Sequence, residues 1–162
     1  MYFMDNFAVN DLVIHLREGV ARVISIVELG NVQYFLVKSE RNQEENIYVP
    51  VNRAEFTIRH LLSSEQATEL LKSLHCIQKE FNSNTKQRRD AFKRRLSSGL
   101  VEDMAYLYRQ YYLYQKDPEG VKLGQADIDM LEYATNYILD ELAIVFNVNR
   151  QQIANYILTI IG

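Results

Sequence analysis

Two different periodicities divide the chain. Over the first sixty residues, apolar and polar positions alternate in short runs bounded by turn residues, the pattern of half-buried strands. Asp11 to Leu16 is short and β-branched, Gly19 to Leu29 is rich in Val and Ile, and Val32 to Ser39 sets Val32, Tyr34 and Leu36 on one face. Glu45 to Val51 supplies a fourth strand. Between the second and third runs stand Gly30 and Asn31, which tolerate positive φ and so predict a tight hairpin. Pro50 cannot donate to a ladder, so it marks the end of the last strand or an edge. Four or five short antiparallel strands must cover their edges, and curling into a small barrel does so.

Past Leu62 the period lengthens to about 3.6 residues, that of amphipathic helices. Ser63 or Ser64 can cap a first helix whose stripe is Ala67, Leu70, Leu71, Leu74 and Ile77. The polar joint Phe81 to Thr85 then precedes a basic helix that ends at Ser98-Gly99. A third helix groups Val101, Met104, Ala105, Tyr108, Tyr111 and Tyr112 and stops at Asp117-Pro118-Glu119-Gly120. A long fourth helix carries Ile128, Leu131, Ala134, Ile138, Leu142 and Val145, and a last one carries Ile153, Ile157 and Ile160. The reading is therefore α+β: a small antiparallel β-barrel over residues 1–60, followed by an all-α domain over residues 61–162.

Composition fits such a pair of small cores, with 48% apolar and 24% charged residues among 162. The one cysteine, Cys76, allows no intramolecular disulfide. The first nine residues lack a basic-then-apolar leader pattern, and no apolar run approaches the roughly 20 residues that span a bilayer. A cytoplasmic protein without a membrane partner is expected. The net charge of −3 conceals an uneven distribution. Lys79 to Gly99 holds seven basic residues against two acidic ones, whereas the chain past Leu100 holds four against nine. On composition alone this belt suits a solvated helix face and a phosphate-contacting face equally.

Nothing in the sequence supports catalysis. It contains no Gly-rich phosphate loop, C-x-x-C pair, H-E-x-x-H or G-x-S-x-G. His75 and Cys76 are adjacent, but neighbours on a helix point about 100° apart and cannot act as base and nucleophile on one another. Cys76 reads as packed into the Leu71/Leu74 stripe, and His15 and His60 as surface or boundary residues. The tyrosine stripe reads as core packing rather than a base-stacking platform. Neither an enzyme nor a cofactor, metal ion or small-molecule substrate is expected.

The ordered residues resemble the CarD-like family. They are Asp11 to Ile14, Gly19-Val20, Tyr34 to Lys38, Val49-Pro50 with Ala54 and Ile58-Arg59, then Lys86-Gln87-Arg88, Leu96 to Gly99, Arg109, Met130-Leu131 and Glu141 to Ala143. The resemblance implies a Tudor-like barrel, shared with the transcription-repair coupling factor, that docks on the β subunit of bacterial RNA polymerase. It also implies a helical domain that contacts promoter DNA and modulates open-complex stability. By that resemblance Val27, Glu28, Leu29 and Tyr48 hold polymerase-contacting positions. Thr85, Lys86, Arg88, Arg89, Lys93 and Arg94 hold DNA-contacting ones. Relatives typically place a tryptophan where this chain has Thr85, and basic residues where it has Asp90 and Ile128-Asp129. Two alternatives stay open: a divergent polymerase binder with little grip on DNA, and a general protein–protein adaptor.

Overall fold

The computed structural model describes residues 6–161, so Met1 to Asp5, part of the stretch searched for a leader, lie outside the described residues. The chain divides between Leu61 and Leu62 into two compact units. In the first, β1 (Leu12–His15), β2 (Gly19–Leu29), β3 (Val32–Ser39), β4 (Ile47–Pro50) and β5 (Ile58–Arg59) form one antiparallel sheet in the order β4-β3-β2-β1-β5. Gly30 and Asn31 both take positive φ, at 57° and 67°, and close the β2–β3 hairpin in the two-residue loop anticipated from the sequence. Opposite Val37 and Leu36 the register slips between Val23 and Ser25, which leaves Ile24 as a bulge residue and increases the local twist. A 3₁₀ segment, Val51–Phe56, leads from β4 to β5, so the two edges are bridged by chain rather than by a ladder among the described residues.

Inside this sheet lies a core of Phe7, Val13, Ala21, Val23, Phe35, Val37, Val49, Val51, Ala54 and Ile58. His15 is buried rather than a surface residue, because its Nδ1 accepts the backbone N–H groups of Arg17 and Glu18, both at 3.1 Å, and closes the β1–β2 turn. Burial, with the nearby Arg17 charge, holds its pKa below the ordinary 6.5, outweighing Glu45. His60 is exposed, with its ring stacked on Phe7 at 4.5 Å.

The second unit comprises α1 (Ser64–Ser73), α2 (Thr85–Ser97), α3 (Val101–Lys116), α4 (Gln125–Val145) and α5 (Arg150–Ile161). Ser63 caps α1 in a reciprocal box with Gln66. That helix ends at Ser73, so Ile77 lies beyond its stripe and Cys76 is exposed, contrary to the packed position expected for it. Gly99, at φ 75°, ends the turn after α2. The core gathers Leu71 and Leu74, Met104, Leu107 and Tyr108, Leu131, Ile138 and Leu142, and Ile153 and Ile157. Burial pushes the Tyr108 hydroxyl up to about 12. Tyr111 and Tyr112, by contrast, are only half buried: one hydrogen-bonds Glu132 at 3.1 Å and the other lies beneath Arg109 and Lys116. No helix among the described residues is long and apolar enough to cross a membrane.

Because each unit has its own buried core, a chain ending at Leu61 is expected to fold alone. Dispersed amide resonances and a cooperative thermal transition are the expected observations. A chain that stays unfolded would show that the sheet needs the helices.

Candidate polymerase and nucleic-acid contact surfaces

Directly paired residues in an antiparallel ladder project to the same side of the sheet. Val27 pairs with Tyr34, Leu29 with Val32, and Leu36 with Tyr48, so the ladder collects these six side chains on one face of β2, β3 and β4. The face is apolar yet solvent-accessible, with Leu29 52%, Val32 40% and Tyr48 46% exposed. Tyr34 and Tyr48 meet edge to face at 6.3 Å, a geometry that holds both rings in place. Three of the four sequence-derived positions, Val27, Leu29 and Tyr48, are thus brought together. Glu28 is not, because it pairs with Gln33 on the opposite face. It borders a shallow groove of about 430 Å³ at the hairpin end, lined also by Asn31, Gln33, Val51 and Asn52 and reaching Val32 of the apolar face.

Residue spacing on α2 separates its side chains just as sharply. At about 100° per residue, Arg88, Phe92 and Arg95 fall on one side, and Lys86, Arg89, Asp90, Lys93 and Arg94 within about 140° of arc on the other. Phe92 is buried and meets Phe81 edge to face at 6.1 Å, which fixes the inward side. Arg88 follows it in and is 4% exposed. Its Nη2 donates to Asp127 Oδ2 at 2.8 Å and its Nη1 to the Asn82 carbonyl at 2.9 Å. Arg88 therefore cannot contact phosphate as the sequence suggested: it is committed to an internal partner. Arg95 is likewise engaged, at 2.7 Å from Asp103 and stacked 3.6 Å over the Tyr106 ring.

Asp127 joins these elements. It sits in the first turn of α4, accepts the Gly124 N–H at 3.0 Å, and lies 3.6 Å from Arg89 Nε. Burial works to raise its pKa, but the Arg88 hydrogen bond, the Gly124 N–H and the two guanidinium charges prevail and hold it below the usual 3.8. This fully buried acid was not singled out from the sequence. Its position three residues after Gly124, in a helix first turn, was the available signal.

Four basic residues remain outside. Lys93 and Arg94 are exposed, Arg89 is half exposed, and Lys86 pairs with Asp90 at 3.0 Å one turn along. The hydrogen bond and charge of Lys86, with Lys93 and Arg94 nearby, lower the Asp90 pKa. Thr85 opens α2 and is exposed, with Asn84 as the cap through a bond from the Gln87 N–H at 2.9 Å. Phe81, the nearest aromatic, is held edge-on by Phe92 and by Tyr114 at 5.9 Å, so it does not replace an exposed wedge. The buried Gln110 fixes the preceding loop by donating to the Gln78 carbonyl at 2.7 Å and accepting the Glu80 N–H at 2.9 Å. Among the described residues, no three His, Cys, Asp or Glu side chains converge on a metal position.

Comparison with known families agrees with both units. Residues 7–62 match the CarD-like/TRCF RID domain, and residues 69–158 match the C-terminal domain of CarD. No curated protein matches the chain. The first match carries the Tudor-like fold and the second accounts for the helices, in the order the sequence anticipated. The chain belongs to the CarD-like family of RNA polymerase-interacting, non-enzymatic transcription regulators.

Proposed function

We propose that the apolar face of β2, β3 and β4 docks on the β subunit of bacterial RNA polymerase in the cytoplasm, while the outward face of α2 touches promoter DNA and modulates open-complex stability. The Tyr34/Tyr48 face supports the first half. An exposed Tyr48 braced by the half-buried Tyr34, beside Val and Leu neighbours, has the composition of an interface anchor. Tyr48 also lies on β4, at one edge of the sheet, where a partner strand can add main-chain bonds while the rings supply side-chain contact.

The second half is a weak, sequence-independent grip. With Arg88 withdrawn, Lys86 paired and Asp90 among the basic side chains, at most four cations face outward, enough to position the protein on phosphates and not to read bases. This burial favours the divergent form of the function, in which polymerase binding dominates and DNA contact is secondary.

Tyr48→Ala is expected to weaken binding to purified polymerase about tenfold, the loss typical of an aromatic anchor. Glu28→Arg, on the other face, is expected to change it far less. Calorimetry or surface plasmon resonance on folded variants tests both. Equal losses, or none for Tyr48→Ala, would move the docking surface away from this face.

A further inference from the structure

We propose that the groove between α1 and the start of α3 is a second protein-docking surface, shaped for a basic amphipathic helix of a partner protein. The groove lies wholly within the helical unit and encloses about 550 Å³. Leu62, Leu70 and Val101 form its apolar lining, and Glu65, Glu69 and Glu102 are the charged residues on it. No lysine or arginine lines it. Glu69 and Glu102 make no salt bridge among the described residues, although the chain contains 18 Lys and Arg. Unneutralised carboxylates flanking an apolar strip are a complement without its partner.

Leu100, next in sequence to the groove residue Val101 though not on the groove's own lining, adds an exposed apolar side chain. It occupies the N-cap position of α3, where Ser, Thr, Asp or Asn would satisfy a free N–H, and it makes no side-chain cap bond. Its side chain is 56% exposed beside Val101, the most exposed large apolar residue of the helical unit. An exposed leucine that makes no cap bond is open to a partner's apolar contact.

The chemistry selects among occupants. Nucleic acid is repelled by the three carboxylates. A second copy of this chain offers α2 as its basic helix, but the outward face of α2 holds no exposed large apolar side chain to meet Leu70 and Val101. The ten residues of α1 extend about 15 Å at 1.5 Å per residue, so the occupant is a helix of roughly three turns with leucine-like residues on one side and Lys or Arg flanking them. This surface belongs to the helical unit, and the face carrying Tyr48 to the sheet.

The test uses the full chain and a fluorescent synthetic peptide of alternating Leu and Lys at helical spacing, with a second peptide in which every Lys is Glu. The basic peptide is expected to bind saturably and to shift amide resonances of α1 and of Leu100 to Glu102. Glu69→Lys with Glu102→Lys is expected to weaken it at least about tenfold and to admit the acidic peptide, and Leu100→Ser to weaken it several-fold. Retained helical circular dichroism and unchanged polymerase affinity separate this result from misfolding. Absent saturable binding, binding indifferent to the charge exchange, or shifts confined to other surfaces would each overturn the proposal.

Discussion

Asp127→Ala is expected to be the most damaging single substitution in the helical unit, with a cost of about 3–5 kcal/mol, since it leaves a guanidinium buried without its counter-ion. Arg88 is 4% exposed and bonds Asp127 at 2.8 Å, so little of its charge can be hydrated once that partner is gone. The same change removes the acceptor for the Gly124 N–H at the start of α4. A substitution that empties both sides, Arg88→Met with Asp127→Leu, is expected to cost much less, because burying apolar groups of similar volume carries no desolvation penalty. Chemical denaturation of the two variants measures the difference. Comparable losses would show that packing volume, rather than the uncompensated charge, sets the cost.

Acidity provides an independent reading of the same pair. The folded-state pKa of Asp127 lies below the ordinary 3.8, so its contribution to stability is present in full above that value. It is lost as pH falls through the depressed folded value. Unfolding free energy of the wild type is therefore expected to fall below pH 3.8 more steeply than that of Asp127→Asn, and the two slopes to agree near neutrality. Parallel curves throughout would remove Asp127 from the acid response.

The second large effect is expected on DNA. Replacing Arg89, Lys93 and Arg94 together by Gln is expected to remove most of the affinity for duplex promoter DNA at low salt. It should also flatten the slope of log affinity against log salt by about 0.9 for each phosphate no longer neutralised, or about 2.7 if each of the three side chains neutralises one. Arg88 is excluded from this set because its charge is spent internally. Arg88→Gln should damage stability far more than it changes the salt slope measured on folded protein. Thr85→Trp acts on a different term. Thr85 is exposed at the first turn of α2, so an indole there is free to enter a base step if α2 meets melted DNA. A wedge stabilises distorted DNA, so open-complex lifetime is expected to rise more than duplex affinity. An unchanged lifetime would show that α2 does not approach melted DNA, and a slope unaffected by the triple change would assign the belt to solvent.

A local signal sufficed for much of the architecture. The switch of period near Leu62, the Gly30-Asn31 hairpin, the Ser63 cap and the Gly99 stop depend on residues close in sequence and on backbone chemistry that acts there, so each was legible without tertiary contacts. The identity of the exposed basic face was only partly legible. The seven basic residues of the belt were visible, but the direction of the six on α2 depends on Phe92, the one aromatic in that helix, whose burial turns Arg88 inward and sets Arg95 against Asp103 at the spacing i, i+4 and i+7. That spacing was present in the sequence. The partner did not follow from it: Asp127 lies 39 residues from Arg88, and only the packing of α2 against α4 lowers the local dielectric enough to make an ion pair there decisive. Alternation along β2 already set Glu28 opposite Val27 and Leu29, whereas the cross-strand register decided that Tyr48 joins the latter two, and the early end of α1 released Cys76 from a stripe that periodicity alone extended past it. Local sequence determines which elements form and, where a turn or cap residue marks it, as at Gly30-Asn31 and Gly99, where they stop; past Ser73 no such residue stands and the periodicity overran the helix. Which side of each element meets water is decided by what the tertiary fold places against it, because burial and partner distance are properties of the assembled chain.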